Sequence, residues 1–185
     1  VIPILLIFIS CLISFGGESV LVSVYPFYDV VKEIGKGRFG VDVLIPPRAD
    51  YHLYELSAGD VIKLSRARIV FVSGIPLGGW ERRVEGFAKG RVISLSKGVR
   101  LISYGEKHHE VKNDPHIWLS PKRMIKVAEN AFRGFLNADR AGKEVYERNL
   151  RSVVSKLKKL DMDYKRSLKR CKHRLFPVVH RALGD

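Results

Sequence analysis

Cysteine is nearly missing from this 185-residue chain, which holds only Cys11 and Cys171. With one of the two inside an apolar N-terminal run, neither a disulfide framework nor a thiolate metal cluster can form in a mature protein. Acidic residues are scarce too: 19 Asp and Glu stand against 33 Lys and Arg, a formal net charge of +14. Internal repeats and low-complexity tracts are absent, and no paired carboxylates or nucleophile–base pair accompanies the histidines, so the sequence carries no catalytic signature. What is present is apolar content of 46%, enough for one domain with a real core and part of a second.

The longest apolar stretch is Val1 to Phe15, uncharged and broken only by Ser10, Cys11 and Ser14. That is the length of a signal-peptide core and short for a membrane span. Ser14-Phe15-Gly16 gives a small-x-small cleavage pattern before Glu18, although a basic n-region is missing and residue 1 is not Met. Residues 1–17 therefore read as a signal peptide or a membrane anchor, and the protein as extracytoplasmic, in the periplasm or at the cell surface. Cys11 suits lipid attachment poorly, because Leu12, Ile13 and Phe15 continue the apolar run behind it.

The positive charge is concentrated late in the chain. Between Arg151 and Arg174 ten basic residues face only Asp161 and Asp163. Such a run is the solvated face of a helix before it is anything else; anionic lipid headgroups and nucleic acid are the other partners its charge would suit. A nucleic-acid role lacks the aromatic interleaving that stacks bases, so no nucleic acid is expected as a partner.

Val20-Leu21-Val22-Ser23-Val24-Tyr25 reads as a buried strand, stopped by Pro26, which can open a helix over Phe27–Ile34 that closes on Gly35 and Gly37. Val41–Ile45 is a second strand ended by Pro46-Pro47; Ser57 caps a helix running to Ala67 with Asp60 at its third position. Ile69–Val72 is a third strand, Trp80–Ala88 a helix and Arg91–Leu95 a fourth strand. Alternation at this spacing predicts an α/β fold, a parallel-sheet, Rossmann-like N-terminal lobe over residues 18–137. A long connecting helix follows over 138–172, with the stripe Tyr146, Leu150, Val153, Leu157, Leu160, Tyr164 and Leu168, and 173–185 reads as the first strand of a second lobe.

Chemistry concentrates in Asp114-Pro115-His116-Ile117-Trp118-Leu119-Ser120-Pro121. Pro115 stiffens the turn before the imidazole, Ile117 and Leu119 look strand-like, and Ser120 with Pro121 supplies an N-cap and first residue for a helix over Lys122–Leu136. A histidine so held is aimed in advance, as a metal ligand must be, although a structural histidine at a helix start would look the same. His52 follows the second strand, and His180 ends the strand after the long helix; His52, His116 and His180 are spaced by 64 residues each. All three fall at strand-to-helix junctions, where open α/β sheets bind ligands, and three imidazoles plus one more donor suit tetrahedral Zn²⁺.

These blocks, with Leu44 to Glu55, Ala67 to Gly74 and Phe176 to His180, resemble the metal-binding (cluster A-I) solute-binding proteins of ATP-binding-cassette transporters for zinc and manganese. The resemblance spans Val20 to His180. It implies two α/β lobes joined by a stiff helix and a metal ion gripped between them, handed on to a membrane permease. By position His52 and His116 match the ligands of the first lobe and His180 the first ligand of the second. A histidine in that third place looks like a zinc binder and a carboxylate like a manganese binder, so Zn²⁺ is expected ahead of Mn²⁺. The loop with His108, His109 and Glu110 resembles a shortened histidine-rich loop, an auxiliary metal site or simply a solvated surface. Departures from the family pattern are Arg48 in place of Gly, Tyr51 in place of Pro, Arg181 after the third histidine, and no counterpart of the fourth ligand. They keep open a remnant in which the first lobe folds but binds metal weakly or not at all.

Overall fold

The structure, a computed structural model, describes residues 19–103 and 113–172. The N-terminal apolar run, the loop bearing His108, His109 and Glu110, and the segment bearing His180 lie outside the described residues.

Four short strands, β1 (Val20–Val22), β2 (Val41–Val43), β3 (Ile69–Val72) and β4 (Arg91–Ser94), form one sheet in the order β2-β1-β3-β4. All three pairings are parallel, with Val20 opposite both Val41 and Ile69, and Ile69 opposite Arg91. Parallel neighbours need crossovers, and the helices α1 (Tyr28–Gly35), α2 (Ala58–Arg66) and α3 (Glu81–Phe87) provide them. Central β1 and β3 are buried along their whole length, which requires cover on both faces and explains their unbroken Val, Leu, Ile and Phe. α4 (Pro121–Ala138) lies against β3, β4 and α1, and α5 (Lys143–Lys169) against α4 and α1; α2 and α3 pack together as the other layer. From β1 the chain steps outward to β2 and then returns to the far side of β1 as β3, so the sheet changes direction between these two strands. A switch of this kind leaves a crevice at the carboxyl ends, where ligands bind.

Local chemistry sets the element ends. Ser57 and Asp60 form a reciprocal capping box: the Ser57 hydroxyl accepts from the Asp60 amide at 3.2 Å, and the Asp60 carboxylate accepts from the Ser57 amide at 2.9 Å. Pro26 opens a short 3-10 turn, Tyr25–Phe27, which runs into α1, and the chain leaves that helix through Gly37 at φ +86. Two local expectations change. Ile117 to Leu119 is a turn of 3-10 helix rather than extended chain, because the Pro115 and His116 carbonyls accept the Ile117 and Leu119 amides directly after the turn at Asp114. Ser120 stands at the N-cap of α4, but its hydroxyl makes no capping bond; Pro121 at the first helical position presets the backbone instead.

The long helix differs between its halves. Tyr146 and Val153 are buried and Leu150 and Leu157 pack against the core, so this half of α5 belongs to the lobe. Its stripe then emerges: Leu160, Tyr164 and Leu168 are exposed, Leu168 by 62%. Among the described helices none is long and apolar enough to cross a membrane.

Candidate metal centre

Two of the expected ligands meet. The His52 and His116 rings lie 6.2 Å apart between centroids, inclined at 61°. With Zn–N near 2.0–2.1 Å, two imidazoles on one tetrahedral ion place their ring centres roughly 5–6 Å apart, so this separation suits a shared ion after a small closure.

One local device turns both histidines. The Asp50 carboxylate accepts the amide of His52 at 2.8 Å, and the Asp114 carboxylate accepts the amide of His116 at 2.9 Å. Each is an Asp-x-His turn in which the side chain two residues upstream folds the backbone back on itself. The turn depends on the aspartate, which is why Tyr51 can stand where the resembling family carries proline.

The imidazoles are anchored differently. His116 is buried, with Nδ1 2.7 Å from the Asp114 carboxylate that also takes its amide. His52 is exposed, and its Nδ1 lies 2.8 Å from the Leu77 carbonyl. A carbonyl can only accept, so Nδ1 of His52 carries the hydrogen and Nε2 the lone pair. Nδ1 held in this way on both rings makes Nε2 the nitrogen that would ligate, the usual arrangement of metal-binding histidines.

Aromatic side chains wall the pair. The Trp118 ring stands edge-on to His116 at 5.1 Å, to Tyr51 at 5.9 Å and to Phe27 at 5.6 Å, and Tyr51 lies 4.6 Å from His52. Burial raises the Tyr51 hydroxyl above its ordinary value, with the Asp50 charge acting in the same direction. A broad groove of about 1170 Å³ opens elsewhere, between Gly98–Ser103, the start of α4 and the last third of α5, and neither histidine lines it.

Sequence reasoning found both imidazoles and missed what orients them. The repeated Asp-x-His was a legible signal, and Trp118 stands two residues past His116 in the same block; the Leu77 carbonyl comes from a segment 25 residues beyond His52 and had none. His180, His108, His109 and Glu110 lie outside the described residues, and among the described residues no group of three ligating side chains forms.

A parallel α/β lobe with two oriented imidazoles at the carboxyl edge of its sheet, trailed by a long helix, defines the class: an open α/β lobe with a ligand crevice at its strand switch. The chain belongs to the family described as "Zinc-uptake complex component A periplasmic", whose profile matches residues 20–184. This is a family of solute-binding components and not of enzymes. The chain is 29% identical over 178 residues to the high-affinity zinc uptake system protein ZnuA of Bacillus subtilis, covering 89% of this chain and 56% of that one. It is 32% identical over 145 residues to the manganese ABC transporter substrate-binding lipoprotein PsaA of Streptococcus anginosus, covering 74% and 47%. Its fold matches the zinc-bound ZnuA-like domain of Streptococcus pneumoniae AdcA with a TM-score of 0.80 at 27% identity, covering 91% of this chain and 62% of that domain. The chain thus spans about half the length of the curated relatives it matches.

Proposed function

We propose that this protein is an extracytoplasmic metal-capture component that delivers a divalent ion, Zn²⁺ ahead of Mn²⁺, to the membrane permease of an ATP-binding-cassette importer. His52 and His116 supply two ligands and His180 a third. The observation that carries this reading is the pair of imidazoles 6.2 Å apart, each held through Nδ1. Neutral nitrogen donors favour Zn²⁺ over the harder Mn²⁺, which prefers carboxylate and water. The relatives named for zinc and for manganese support metal capture as the shared task.

Zn²⁺ titration against a competing chelator tests it. His52→Ala and His116→Ala are each expected to weaken binding by orders of magnitude, since each removes one of few protein ligands; unchanged affinity in both variants overturns the reading. A second reading starts from the same pair of imidazoles: a first lobe that binds weakly through His52 and His116 alone. His180→Ala separates them: a large loss supports the three-histidine site, no loss the two-histidine one. Residues His108, His109 and Glu110 are proposed as an auxiliary loop that collects metal, and the N-terminal apolar run as the export signal or anchor. The basic residues of α5 are read as the solvated face of that helix.

A further inference from the structure

His52 is the exposed partner of the pair, and an exposed imidazole can turn over or change tautomer unless something fixes it. The Leu77 carbonyl does so, yet Leu77 sits in Ser73-Gly74-Ile75-Pro76-Leu77-Gly78-Gly79-Trp80, a loop with three glycines. Such a sequence is loose by itself, because glycine restricts the backbone least. Gly74 is confined here by its surroundings: it sits at φ +76, and a Cβ on it would collide with the Ser94 side chain.

Two side chains beyond the site hold this loop. The Glu81 carboxylate, at the first residue of α3, accepts the Gly74 amide on one oxygen at 3.0 Å and the Leu77 amide on the other at 3.2 Å. Burial raises this carboxyl above its ordinary value, while amides of Gly74, Leu77 and Ser73 pull it down. A carboxylate is costly to bury unless hydrogen bonds compensate, and here the compensation comes from the loop's own backbone. The Trp80 indole, itself buried, donates from Nε1 to the Tyr51 carbonyl at 2.6 Å, one residue before His52. The β3–α3 loop therefore meets the histidine loop at two points, Leu77 to His52 and Trp80 to Tyr51.

We propose that Glu81 and Trp80 are positioning residues for the metal centre: by holding the β3–α3 loop they fix the His52 tautomer, so that Nε2 presents its lone pair to the ion. The proposal rests on His52 being a ligand. Glu81→Gln keeps the side chain's length but turns one accepting oxygen into a donor that faces an amide; Trp80→Phe keeps an aromatic ring but removes the N–H together with part of the buried indole.

The test is ¹⁵N NMR of the histidine rings in the metal-free chain, joined to Zn²⁺ titration of the same samples. Wild type is expected to show His52 protonated at Nδ1. In each folded variant the Nε2–H form of His52 should rise, His116 should stay as it was, and Zn²⁺ affinity should fall about 10- to 100-fold, as for other groups that orient a ligating histidine. A folded variant with wild-type His52 tautomer and affinity overturns the positioning role while leaving the metal reading intact. A His52 tautomer that shifts in the variants while even wild type binds no Zn²⁺ supports the hold of Glu81 and Trp80 on His52 and overturns the metal reading. If Glu81→Gln does not fold, the same two readings on Trp80→Phe decide.

Discussion

Single carboxylates carry much of the site's geometry. Asp114 takes both the amide and Nδ1 of His116, so Asp114→Asn weakens the hold on the ring without emptying the turn. Zn²⁺ affinity is expected to drop about 10- to 100-fold with secondary structure retained, measured by chelator competition and circular dichroism. A second carboxylate acts on stability. Burial, the largest single influence on Asp60, pushes its carboxyl up, but hydrogen bonds from the Ser57 hydroxyl and amide and from the Tyr54 hydroxyl outweigh it, so the folded value lies below the ordinary 3.8. A depressed folded value means stability that is whole above the unfolded value and is lost as pH falls through the folded one. Urea unfolding of wild type and Asp60→Asn at pH 7 and pH 3 is expected to show the smaller pH dependence in the variant. Equal dependence would remove Asp60 from the acid response.

At the scale of elements, the helices show which local signals survive packing. Ser57 with Asp60 was readable as a helix start and forms the capping box, since both partners lie within one turn. Ser120 carried the same kind of signal and does not cap, because proline sets that helix start and the hydroxyl is not used. Gly134 illustrates the reverse, a residue whose local preference misleads. In an isolated helix Gly→Ala is worth up to ~1 kcal/mol, but here the new Cβ would stand 2.6 Å from Phe71 and 2.7 Å from Ile93, where α4 presses on the sheet. Gly134→Ala is expected to destabilise by about 1–3 kcal/mol, read from the denaturation midpoint. A gain in stability would mean α4 can lift from the sheet without loss. The regular stripe of α5 marks one continuous face, yet among the described residues only its first half is covered, because periodicity marks a face and not what lies opposite.

For the molecule as a whole, metal binding and folding are linked, since an ion that binds only the folded state stabilises it. Free Zn²⁺ at a hundred times its dissociation constant should add about 2.7 kcal/mol, a rise of roughly 5–10 °C in the calorimetric midpoint for a chain of this size. The rise should vanish in the His52→Ala/His116→Ala double variant; an equal rise there would place the ion elsewhere. The alternation of β-branched runs with helical segments, the Ser57–Asp60 capping box and the turn at Asp114 were determined by the sequence alone, because each depends on neighbours within a few residues. Strand order, and with it the crevice between β1 and β3, the carbonyl that selects the nitrogen of His52, and the meeting of two imidazoles 64 residues apart in the chain were decided by the tertiary structure. Those contacts join segments that the chain can bring together only after the sheet has formed, so no local pattern encodes them.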